Sequence, residues 1–465
     1  MFLGRERELA TLEKLYQQNK FQLFILYGRR RVGKTTLLKE FCRNKPAIFY
    51  AVEQTNSKLN LEKFSLLIFH HYAEENMEAF SSWEQALRFL AERSKKQSLV
   101  VVLDEFPYLA NLEQGLLSKL QHLIDHELKN SNLFLVLCGS FVSFMEQEVL
   151  GAKSPLFGRR TAQLRLKVFD YYQSSLFLSH YSVEDKIIMY GIFGGTPLYL
   201  QQVDNKLSLG ENVKNIFLEN TGYLHEETIL LLRQELQEPS VYYSILEVIA
   251  QGATRANEIA VKTGETAAKC LKYMSILQDL DLLYKEVPLG AKHSGRRSQY
   301  GIKDSMFRFW YRYVLPNKTL LEIASADVIW KKKISPDLSQ YMGSVFEEVC
   351  KTYMLRKNIA EKLPFLFTEI GRWWGTDNVK RQEVEIDLVA GDGKQYIFGE
   401  CKWHNEKMGL QVLDDLREKA KVFSPKTKAS YYYLFSKSGF TNELECVAKV
   451  DKHVKLISLE ELFVI

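Results

Sequence analysis

The stretch FQLFILYGRRRVGKTTLLKEF, residues 21–41, decides the fold of this chain. Its first seven residues, FQLFILY, are apolar at nearly every position, which is typical of a strand buried on both faces. A glycine-containing loop follows, and then KTTLLKEFC, whose apolar residues recur at the three- and four-residue spacing of an amphipathic helix. The order strand, loop, helix predicts a parallel sheet that is covered by helices.

The loop at residues 28–36, GRRRVGKTT, matches the phosphate-binding pattern GxxxxGK(S/T) between a strand and a helix, as that pattern requires. Glycines let the backbone N–H groups curl around phosphates, and the helix start adds a favourable dipole. Lys34 supplies a catalytic positive charge, and Thr35 a hydroxyl for Mg²⁺. We predict an ATP site with Mg²⁺, in which the nucleotide contacts Gly28, Arg29, Arg30, Arg31, Val32, Gly33, Lys34, Thr35 and Thr36.

Acidic residues end another apolar run, VVVLDEF at 100–106. At the carboxyl edge of a parallel sheet, Asp104 would meet the Mg²⁺ and take part in catalysis. Glu105 is predicted to orient the attacking water as a general base. Ser140 ends the run NLFLVLCGS at 132–140, where it would sense the γ-phosphate, although an ordinary turn serine would look the same.

Length and composition bound the rest of the chain. A chain of 465 residues suggests roughly three domains. The formal charge of +5 permits contact with nucleic acid without demanding it. The cysteines are scattered, the start MFLGRERELATLEKLY has acids in place of an apolar signal segment, and no long uncharged apolar run is present. These features predict a cytoplasmic protein without a membrane segment.

Five segments are expected in an α/β multidomain chain. The P-loop core, with its parallel sheet, spans residues 1–164, and a helical lid rich in aromatic residues spans 165–235. Residues 236–305 predict three helices followed by two strands around a basic loop, the order of a winged helix-turn-helix. A helical connector covers 306–340, and a final α/β domain covers 341–465.

The predicted winged helix carries the candidate nucleic-acid contacts. Its third helix begins with basic residues and its wing, GAKHSGRRSQY, is basic as well. Recognition helices enter the major groove by their N-terminal end, while wing cations reach phosphate. The candidates are Lys269, Lys272, Lys292, Arg296 and Arg297, with His293 assigned to the polar loop. The same unit could instead contact a protein or another domain.

The stretch VEIDLVAGDGKQYIFGECKW, 384–403, predicts a hairpin that turns at Asp392-Gly393. Gly391 would face Lys394, which puts Glu385 opposite Glu400 and Phe398 opposite Asp387. Alternation then places Glu385, Asp387, Glu400 and Lys402 on one face, with Asp387 and Glu400 diagonal neighbours roughly 7 Å apart.

Such a cluster of acids needs a cation, and Lys402 alone is not enough. Mg²⁺ or Mn²⁺ would be held by Asp387 and Glu400. Lys402 would position or deprotonate a water and stabilise negative charge, which makes Asp387, Glu400 and Lys402 the predicted catalytic residues. The pattern D…ExK is similar to the core of the PD-(D/E)XK nuclease fold, whose preceding helix often adds a glutamate, and this resemblance implies a restriction-endonuclease-like fold for residues 341–465. Glu347 is the candidate, with Glu348 as the spare. The alternative to a metal site is an ordinary solvent-exposed hairpin face that carries charges of both signs.

The motifs together resemble the archaeal-type prokaryotic ATPase family, within the STAND branch of AAA+-related proteins. The resemblance rests on FLGRERELATLEKLY, YGRRRVGKTTLLKEF, LVVVLDEFPYL, SPLFGRRT and GGTPLYL. It implies that Arg5 and Glu6 frame the adenine and that Arg159 or Arg160 is an arginine finger or sensor. It also implies that GGTPL, 194–198, reports the nucleotide state to the domains beyond, which often include a C-terminal nuclease-like domain.

Two functions fit these features. In the first, ATP binding and hydrolysis gate a Mg²⁺-dependent nuclease, with the winged helix engaging nucleic acid, DNA favoured. In the second, the protein is a nucleotide-driven switch or scaffold that binds DNA or a protein partner without cutting. Self-association into a homo-oligomer is left open. The paired tryptophans of GRWWG, 371–375, are expected to cover the core, with stacking on bases as the alternative.

Overall fold

The computed structural model describes residues 2–74, 77–236, 238–291, 297–377, 379–423 and 429–464. Lys292, His293 and Arg296, predicted in the wing, lie outside the described residues. The described chain divides into two compact units, one of Met1–Val168 with Thr196–Leu198 and one of Phe169–Gly195 with Tyr199–Ile465. The division into five segments remains a prediction.

The first unit is built on the parallel sheet that the apolar runs predict. Its strands are β1 (Gln22–Tyr27), β2 (Ala47–Ala51), β3 (Leu99–Asp104), β4 (Leu133–Gly139) and β5 (Ala162–Arg165). They are arranged in the order β2-β3-β4-β1-β5 with parallel pairing throughout. Every residue of β1, β3 and β4 is buried, as strands covered on both faces must be.

Helices cover both faces of this sheet. They are α1 (Glu6–Tyr16), α2 (Lys34–Cys42), α3 (Ser57–Tyr72), α4 (Trp83–Ser94), α5 (Phe106–Leu112), α6 (Leu116–His126) and the short α7 (Val142–Phe144), which continues as a π-helical turn, Met145–Val149. Residue type explains the starts of α3 and α4, because Asn56 and Ser82 accept hydrogen bonds from the first turns. The sheet has separate hydrophobic clusters on its two faces.

The second unit begins with helices, as the loss of strand patterning predicts. They are α8 (Tyr171–Ser175), α9 (Val183–Phe193), α10 (Pro197–Leu200, shared with the first unit), α11 (Leu209–Val213) and α12 (Glu227–Glu235). The predicted three helices and hairpin follow as α13 (Pro239–Ala250), α14 (Ala256–Thr263), α15 (Ala267–Asp279), β6 (Leu283–Glu286) and β7 (Gln299–Ile302). The connector contains α16 (Ser305–Phe309), α17 (Lys318–Ile323) and α18 (Ala326–Ile329), with π-helical turns at Trp310–Val314 and Trp330–Ile334.

The C-terminal part of the second unit is a mixed sheet with helices. Its elements are α19 (Leu338–Ile359), β8 (Glu369–Asp377), β9 (Gln382–Gly391), β10 (Gln395–Lys402), α20 (Leu410–Phe423), β11 (Ala429–Ser436), α21 (Asn442–Val450) and β12 (Val454–Ile457). The strand order is β12-β11-β10-β9-β8. Strands β8, β9 and β10 pair antiparallel, whereas β10, β11 and β12 pair parallel. GRWWG forms the middle of β8, and Trp373 packs against the core of this sheet, as the covering role predicts.

Among the described residues, no helix has both the length and the apolar character to cross a membrane.

Candidate nucleotide site and carboxylate cluster

The phosphate-binding loop joins β1 to α2 in the first unit. Gly28 has a φ of +149°, and a Cβ on it would lie 2.3 Å from the Leu166 carbonyl oxygen, so that a larger residue cannot occupy this position. Gly33 precedes α2 with a φ of +92°, a left-handed conformation that glycine adopts readily. The glycine spacing of the motif therefore has a direct steric reason.

Lys34, Thr35 and Asp104 meet at this loop. Lys34 is buried, and its Nζ donates to the carbonyl oxygens of Gly28 at 2.7 Å and Arg29 at 3.1 Å. The Thr35 hydroxyl donates to Asp104 Oδ2 at 2.7 Å. A hydroxyl and a carboxylate oxygen side by side are ligands of the kind that Mg²⁺ takes beside nucleotide phosphates. The Thr35 hydroxyl and the Asp104 carboxylate therefore have the right ligand chemistry for the predicted Mg²⁺.

Glu105 and Ser140 also come together. The Ser140 hydroxyl donates to Glu105 Oε2 at 2.8 Å across the ends of β3 and β4. Glu105 adopts a left-handed backbone with a φ of +55°, which is uncommon for a glutamate and concentrates at functional sites. The carboxylate that is predicted to orient water is thus held by the predicted sensor serine.

The arginines of the loop make contacts of different kinds. The Arg29 guanidinium is buried and donates to the Thr196 hydroxyl at 3.3 Å. Arg30 donates to the Tyr108 hydroxyl at 2.7 Å and lies 5.4 Å from the ring centre of Phe141. Arg29 and Arg30 therefore connect the loop to neighbouring segments of the first unit.

Arg5 donates hydrogen bonds to the backbone of the phosphate-binding loop and of residue Lys167. Its buried guanidinium donates to the carbonyl oxygens of Val32 at 3.2 Å and Lys167 at 2.5 Å and pairs with Glu8 at 3.1 Å. Glu6 accepts from the Gly4 backbone N–H at 3.2 Å. These contacts make Arg5 a support of the loop backbone, and its role beside an adenine stays a prediction.

Arg159 and Arg160 precede β5. Arg159 forms a double ion pair with Asp125, with contacts of 2.7 to 3.1 Å, and the pKa of that carboxyl is lowered to about 2 by Arg159 and then Lys129. Ala162 pairs with Phe24, so the Arg160 backbone lies near the start of β1. Burial raises the pKa of Tyr27, at the end of β1, and the Arg160 charge opposes that shift. The finger role of either arginine stays a prediction.

In the second unit, the register predicted for the hairpin is wrong by two residues. Gly391 pairs with Tyr396, not with Lys394, and Gly399 pairs with Leu388. The turn is longer because the Asp392 carboxylate accepts from the backbone N–H groups of Lys394 and Gln395, each at 2.8 Å. Because side chains alternate along a strand, a register shift of two residues leaves each side chain on its predicted face of the hairpin.

The corrected register places Glu400 opposite Asp387, one step past Gly399 and Leu388, the last paired residues of β9 and β10. The Cys401 backbone N–H donates to Asp387 Oδ2 at 2.9 Å. The two carboxylates are therefore cross-strand neighbours, and burial followed by the Glu400 charge raises the pKa of Asp387 to about 6.

Glu400 is buried, with 4% of its surface exposed, and it is held by lysines. Lys402 Nζ lies 2.7 Å from Glu400 Oε1, and Lys419 Nζ lies 3.0 and 3.2 Å from the two oxygens. Lys419, on α20, was not among the predicted residues, because only tertiary packing brings α20 against β10. Burial lowers the pKa of Lys402, but the charge and hydrogen bond of Glu400 raise it by more, so this lysine stays charged.

Arg372, on β8, is the other residue that sequence reasoning missed. Its guanidinium pairs with Glu385, with Glu347 at 3.5 Å and with Glu286 at 3.6 Å. Burial raises the pKa of Glu347 to about 7 although Arg372 opposes that shift, and Asp387 raises it further. Lys402 alone was predicted to be too little positive charge for the acidic cluster, and Arg372 and Lys419 supply the further cations.

The fit of this cluster to a metal rests on Asp387 and Glu400. Their carboxylates are adjacent and could provide oxygen ligands to a divalent ion, with Glu347 facing the same region from α19. Within the described ranges, however, no group of three or more His, Cys, Asp or Glu side chains is arranged to hold a metal. A metal here would displace lysine contacts from Glu400.

The raised pKa of Glu347 gives a prediction for stability. The folded protein binds this proton more tightly than the unfolded chain, so the free energy of unfolding falls as pH rises from about 4.5 to about 7. In EDTA, Glu347→Gln should raise stability at pH 8 by on the order of 1–3 kcal/mol and change little at pH 4.5. Thermal unfolding at both pH values measures this, with the exposed Glu383→Gln as control; equal shifts at both would contradict it.

The predicted nucleic-acid residues that the structure describes lie at the surface. Lys272 and Arg297 are exposed, whereas Lys269 pairs with Glu265 at 2.9 Å and lies 5.8 Å from the ring centre of Tyr273. Of the two predicted lysines of α15, Lys272 is exposed and Lys269 is half-buried.

Comparison with known proteins identifies the class. A family described as an ATPase domain predominantly from Archaea matches residues 2–203, and a family of archaeal and bacterial proteins of unknown function matches residues 310–418. The chain belongs to the first of these two families, the P-loop ATPases found predominantly in Archaea. It is 32% identical to the uncharacterized protein MJECL04 of Methanocaldococcus jannaschii over 444 residues, 94% of this chain and 96% of that protein.

Two further proteins are similar to part of this chain. The uncharacterized ATP-binding protein MJ1659 of Methanocaldococcus jannaschii is 22% identical over 270 residues, which cover 46% of this chain and 73% of that protein. The solved structure of the Walker-type ATPase PABY2304 of Pyrococcus abyssi aligns with 67% of this chain and 96% of its own, at 21% identity and a TM-score of 0.50. The structural similarity supports the fold.

Proposed function

We propose that this protein binds and hydrolyses ATP at residues 28–36 and that its nucleotide state gates a nucleic-acid-binding domain with a Mg²⁺-dependent nuclease site. The observation that carries the proposal is the cluster of Asp387, Glu400 and Lys402, which lies in a chain with a complete phosphate-binding loop. DNA is the favoured nucleic acid.

At the ATP site, Lys34 would leave the loop carbonyls for the β- and γ-phosphates and neutralise their charge. Thr35 and Asp104 would hold Mg²⁺, which polarises the phosphates when bound. Glu105 would accept the proton of the attacking water, with Ser140 fixing its orientation until the γ-phosphate competes for the serine.

The segment GGTPL offers a route from the loop to the rest of the chain. Thr196–Leu198 clusters with the first unit, whereas the chain on either side belongs to the second. Thr196 accepts from Arg29, and a Cβ on Gly33 would lie 3.7 Å from Pro197. Because the segment is covalently continuous with α9, a shift of the loop on nucleotide binding would act on the second unit through the backbone.

Helix α19 would carry this movement onward. Near its C-terminal end, Arg356 makes a double ion pair with Asp170, the N-cap of α8, at 2.7 and 2.9 Å. At its start, the Tyr341 hydroxyl donates to the Gly191 carbonyl oxygen of α9 at 2.6 Å. Between these points lies Glu347, beside Arg372. The same helix therefore contacts both lid helices and carries a residue of the carboxylate cluster.

At the second site, the adjacent carboxylates would hold Mg²⁺, which would supply a water of lowered pKa and polarise the phosphodiester. Lys402, kept charged by Glu400, would stabilise negative charge on the phosphate. Lys419 would fix Glu400 and add a positive charge. Lys272 and Arg297 would contact the backbone of the nucleic acid.

A second function has an observation in its favour. Both oxygens of Glu400 already accept from lysine, and the described residues offer no group of three metal-binding side chains. These features favour a STAND-type switch or scaffold that binds DNA or a protein partner without cutting it.

The test incubates full-length wild type, Lys34→Ala and Asp387→Ala with single- and double-stranded DNA and RNA, with Mg²⁺ or Mn²⁺, and with or without ATP. Cleavage by wild type that is lost in Asp387→Ala supports the nuclease. Cleavage that persists in Asp387→Ala would sink it, and a lack of cleavage by every form favours the switch.

A further prediction concerns the coupling itself. Arg356→Gln removes the ion pair with Asp170 but leaves the Asp170 hydrogen bond to the Gln173 backbone intact. We expect the ratio of DNA affinities with and without ATP to move at least about fivefold toward one, with ATP turnover nearly unchanged. Anisotropy titrations with phosphate-release assays measure both. Lys357→Gln, the next residue, is the matched control, and an unchanged ratio in Arg356→Gln would exclude this ion pair from the coupling.

A further inference from the structure

A cavity of about 320 Å³ lies in the second unit between the β6–β7 hairpin, α19 and the β8–β9 strands. Asp387 and Glu347 line it on one side, and Tyr284 and Lys285 of β6 line it on the other. The cavity thus opens onto part of the carboxylate cluster.

The hairpin is fixed to the sheet beside this cavity. The Leu289 backbone N–H donates to the Arg372 carbonyl oxygen at 3.0 Å, and Glu286 pairs with the Arg372 guanidinium at 3.6 Å. The Leu289 side chain packs against the hydrophobic core of the C-terminal sheet. The side of the cavity opposite Asp387 is therefore formed by a hairpin that is bonded to β8 and packed against the core of the C-terminal sheet.

Cations line this cavity together with the acids. Lys351 of α19 has no ion pair or hydrogen-bond partner within the described part of the chain. Arg308 pairs with Glu348 at 3.4 Å, and it lines the cavity as well. An unpaired ammonium and a guanidinium are donors that a phosphate oxygen can accept from.

Tyr284 adds a flat apolar surface. A Cβ on Gly301, its cross-strand partner, would lie 2.4 Å from the Tyr284 ring, so the ring lies over β7 at this point. The residue is nevertheless 38% exposed and lines the cavity. A ring supported on one side and open on the other is a platform on which a base can stack.

We infer that this cavity holds a single unpaired nucleotide of a nucleic-acid strand, with its phosphate at Lys351 and Arg308 and its base on Tyr284. The size supports this, because 320 Å³ lies at the small-molecule end of binding sites, about 300–1,000 Å³, whereas the major groove of a duplex is alone about 12 Å wide. The inference rests on the proposed function and names its substrate class: unpaired strands reach Asp387 and intact duplex does not.

The test is an equilibrium titration of full-length protein in EDTA, which prevents cleavage, with an internally labelled 20-nucleotide single strand and a blunt duplex of the same sequence. We expect Tyr284→Ala and Lys351→Ala each to weaken binding of the single strand about fivefold or more, and to leave duplex binding within twofold. Tyr284→Phe keeps the ring and should bind as wild type. Lys357→Ala, on the same helix outside the cavity, is the charge control.

The outcomes separate this inference from the proposed function. Unchanged binding of the single strand in both variants, or an equal loss for single strand and duplex, overturns the cavity assignment even if cleavage depends on Asp387. A selective loss for the single strand supports it even if no cleavage occurs. Thymidine monophosphate is added as a competing free nucleotide. If it displaces the labelled single strand at a concentration equal to that of the oligonucleotide, the ligand of the cavity is a free nucleotide and the assignment of a strand is overturned. Thermal unfolding of each variant confirms that it is folded.

Discussion

Lys34→Ala is expected to lower the rate of ATP hydrolysis by about 100-fold or more, because this ammonium is the loop's charge for the β- and γ-phosphates. Lys34 Nζ donates to carbonyl oxygens of the loop at 2.7 and 3.1 Å, and it would exchange these contacts for phosphate oxygens when ATP binds. Alanine removes that charge without changing the glycines that shape the backbone. Phosphate release under saturating ATP measures the effect.

The matched control for this variant is Lys39→Ala, an exposed lysine of the same helix. It should hydrolyse ATP like wild type, which excludes a general effect of lost helix charge. ATP binding measured separately distinguishes loss of affinity from loss of turnover. Turnover within tenfold of wild type in Lys34→Ala would count against the phosphate-contacting role of this residue.

Asp387→Asn is expected to lower the rate of nucleic-acid cleavage by about 100-fold or more and to leave ATP turnover unchanged. The asparagine keeps the shape and can still accept from the Cys401 N–H, but it removes the negative charge that a divalent ion needs. It also relieves the repulsion from Glu400 that contributes to the raised pKa of Asp387, so the folded protein should be no less stable. Cleavage of labelled DNA with Mg²⁺ measures the effect.

Glu383→Gln is the matched control, because Glu383 is an exposed carboxylate of the same strand. It should cleave at the wild-type rate. Loss of cleavage in both variants would indicate damage to β9 itself, whereas full cleavage in Asp387→Asn would remove this residue from the reaction. Lys419→Ala tests the neighbouring position, and a loss of at least tenfold there would make Lys419 part of the charge that stabilises the phosphate.

In the first unit, local sequence patterns were sufficient to predict the phosphate-binding loop and the strands β1, β3 and β4. The residues of a phosphate loop are consecutive, so the spacing of Gly28, Gly33 and Lys34 fixes their relation before any tertiary contact is known. Uninterrupted apolar runs at β1, β3 and β4 require burial on both faces, and the structure has each of these strands fully buried. The placement of Asp104 beside Thr35 follows, because parallel strands end at a common edge.

The second unit depended more on tertiary contacts. The hairpin was predictable from its alternation and its Asp392-Gly393 signal, but the turn length depends on hydrogen bonds from Asp392 to two backbone N–H groups. Those bonds moved the register by two residues and made Asp387 and Glu400 direct neighbours. The shared face survived because a shift of two preserves side-chain alternation.

The sequence by itself determined the phosphate-binding loop, the parallel sheet and the presence of Asp387, Glu400 and Lys402 on one hairpin, because each depends on residues close together in the chain. Tertiary structure alone decided how the acids are neutralised: Lys419 comes from α20 and Arg372 from β8. It also joined Arg356 to Asp170, 186 residues away, and placed the hairpin beside Asp387. Charge pairs between distant segments leave no local periodicity, so only the packed fold reveals which cation meets which acid.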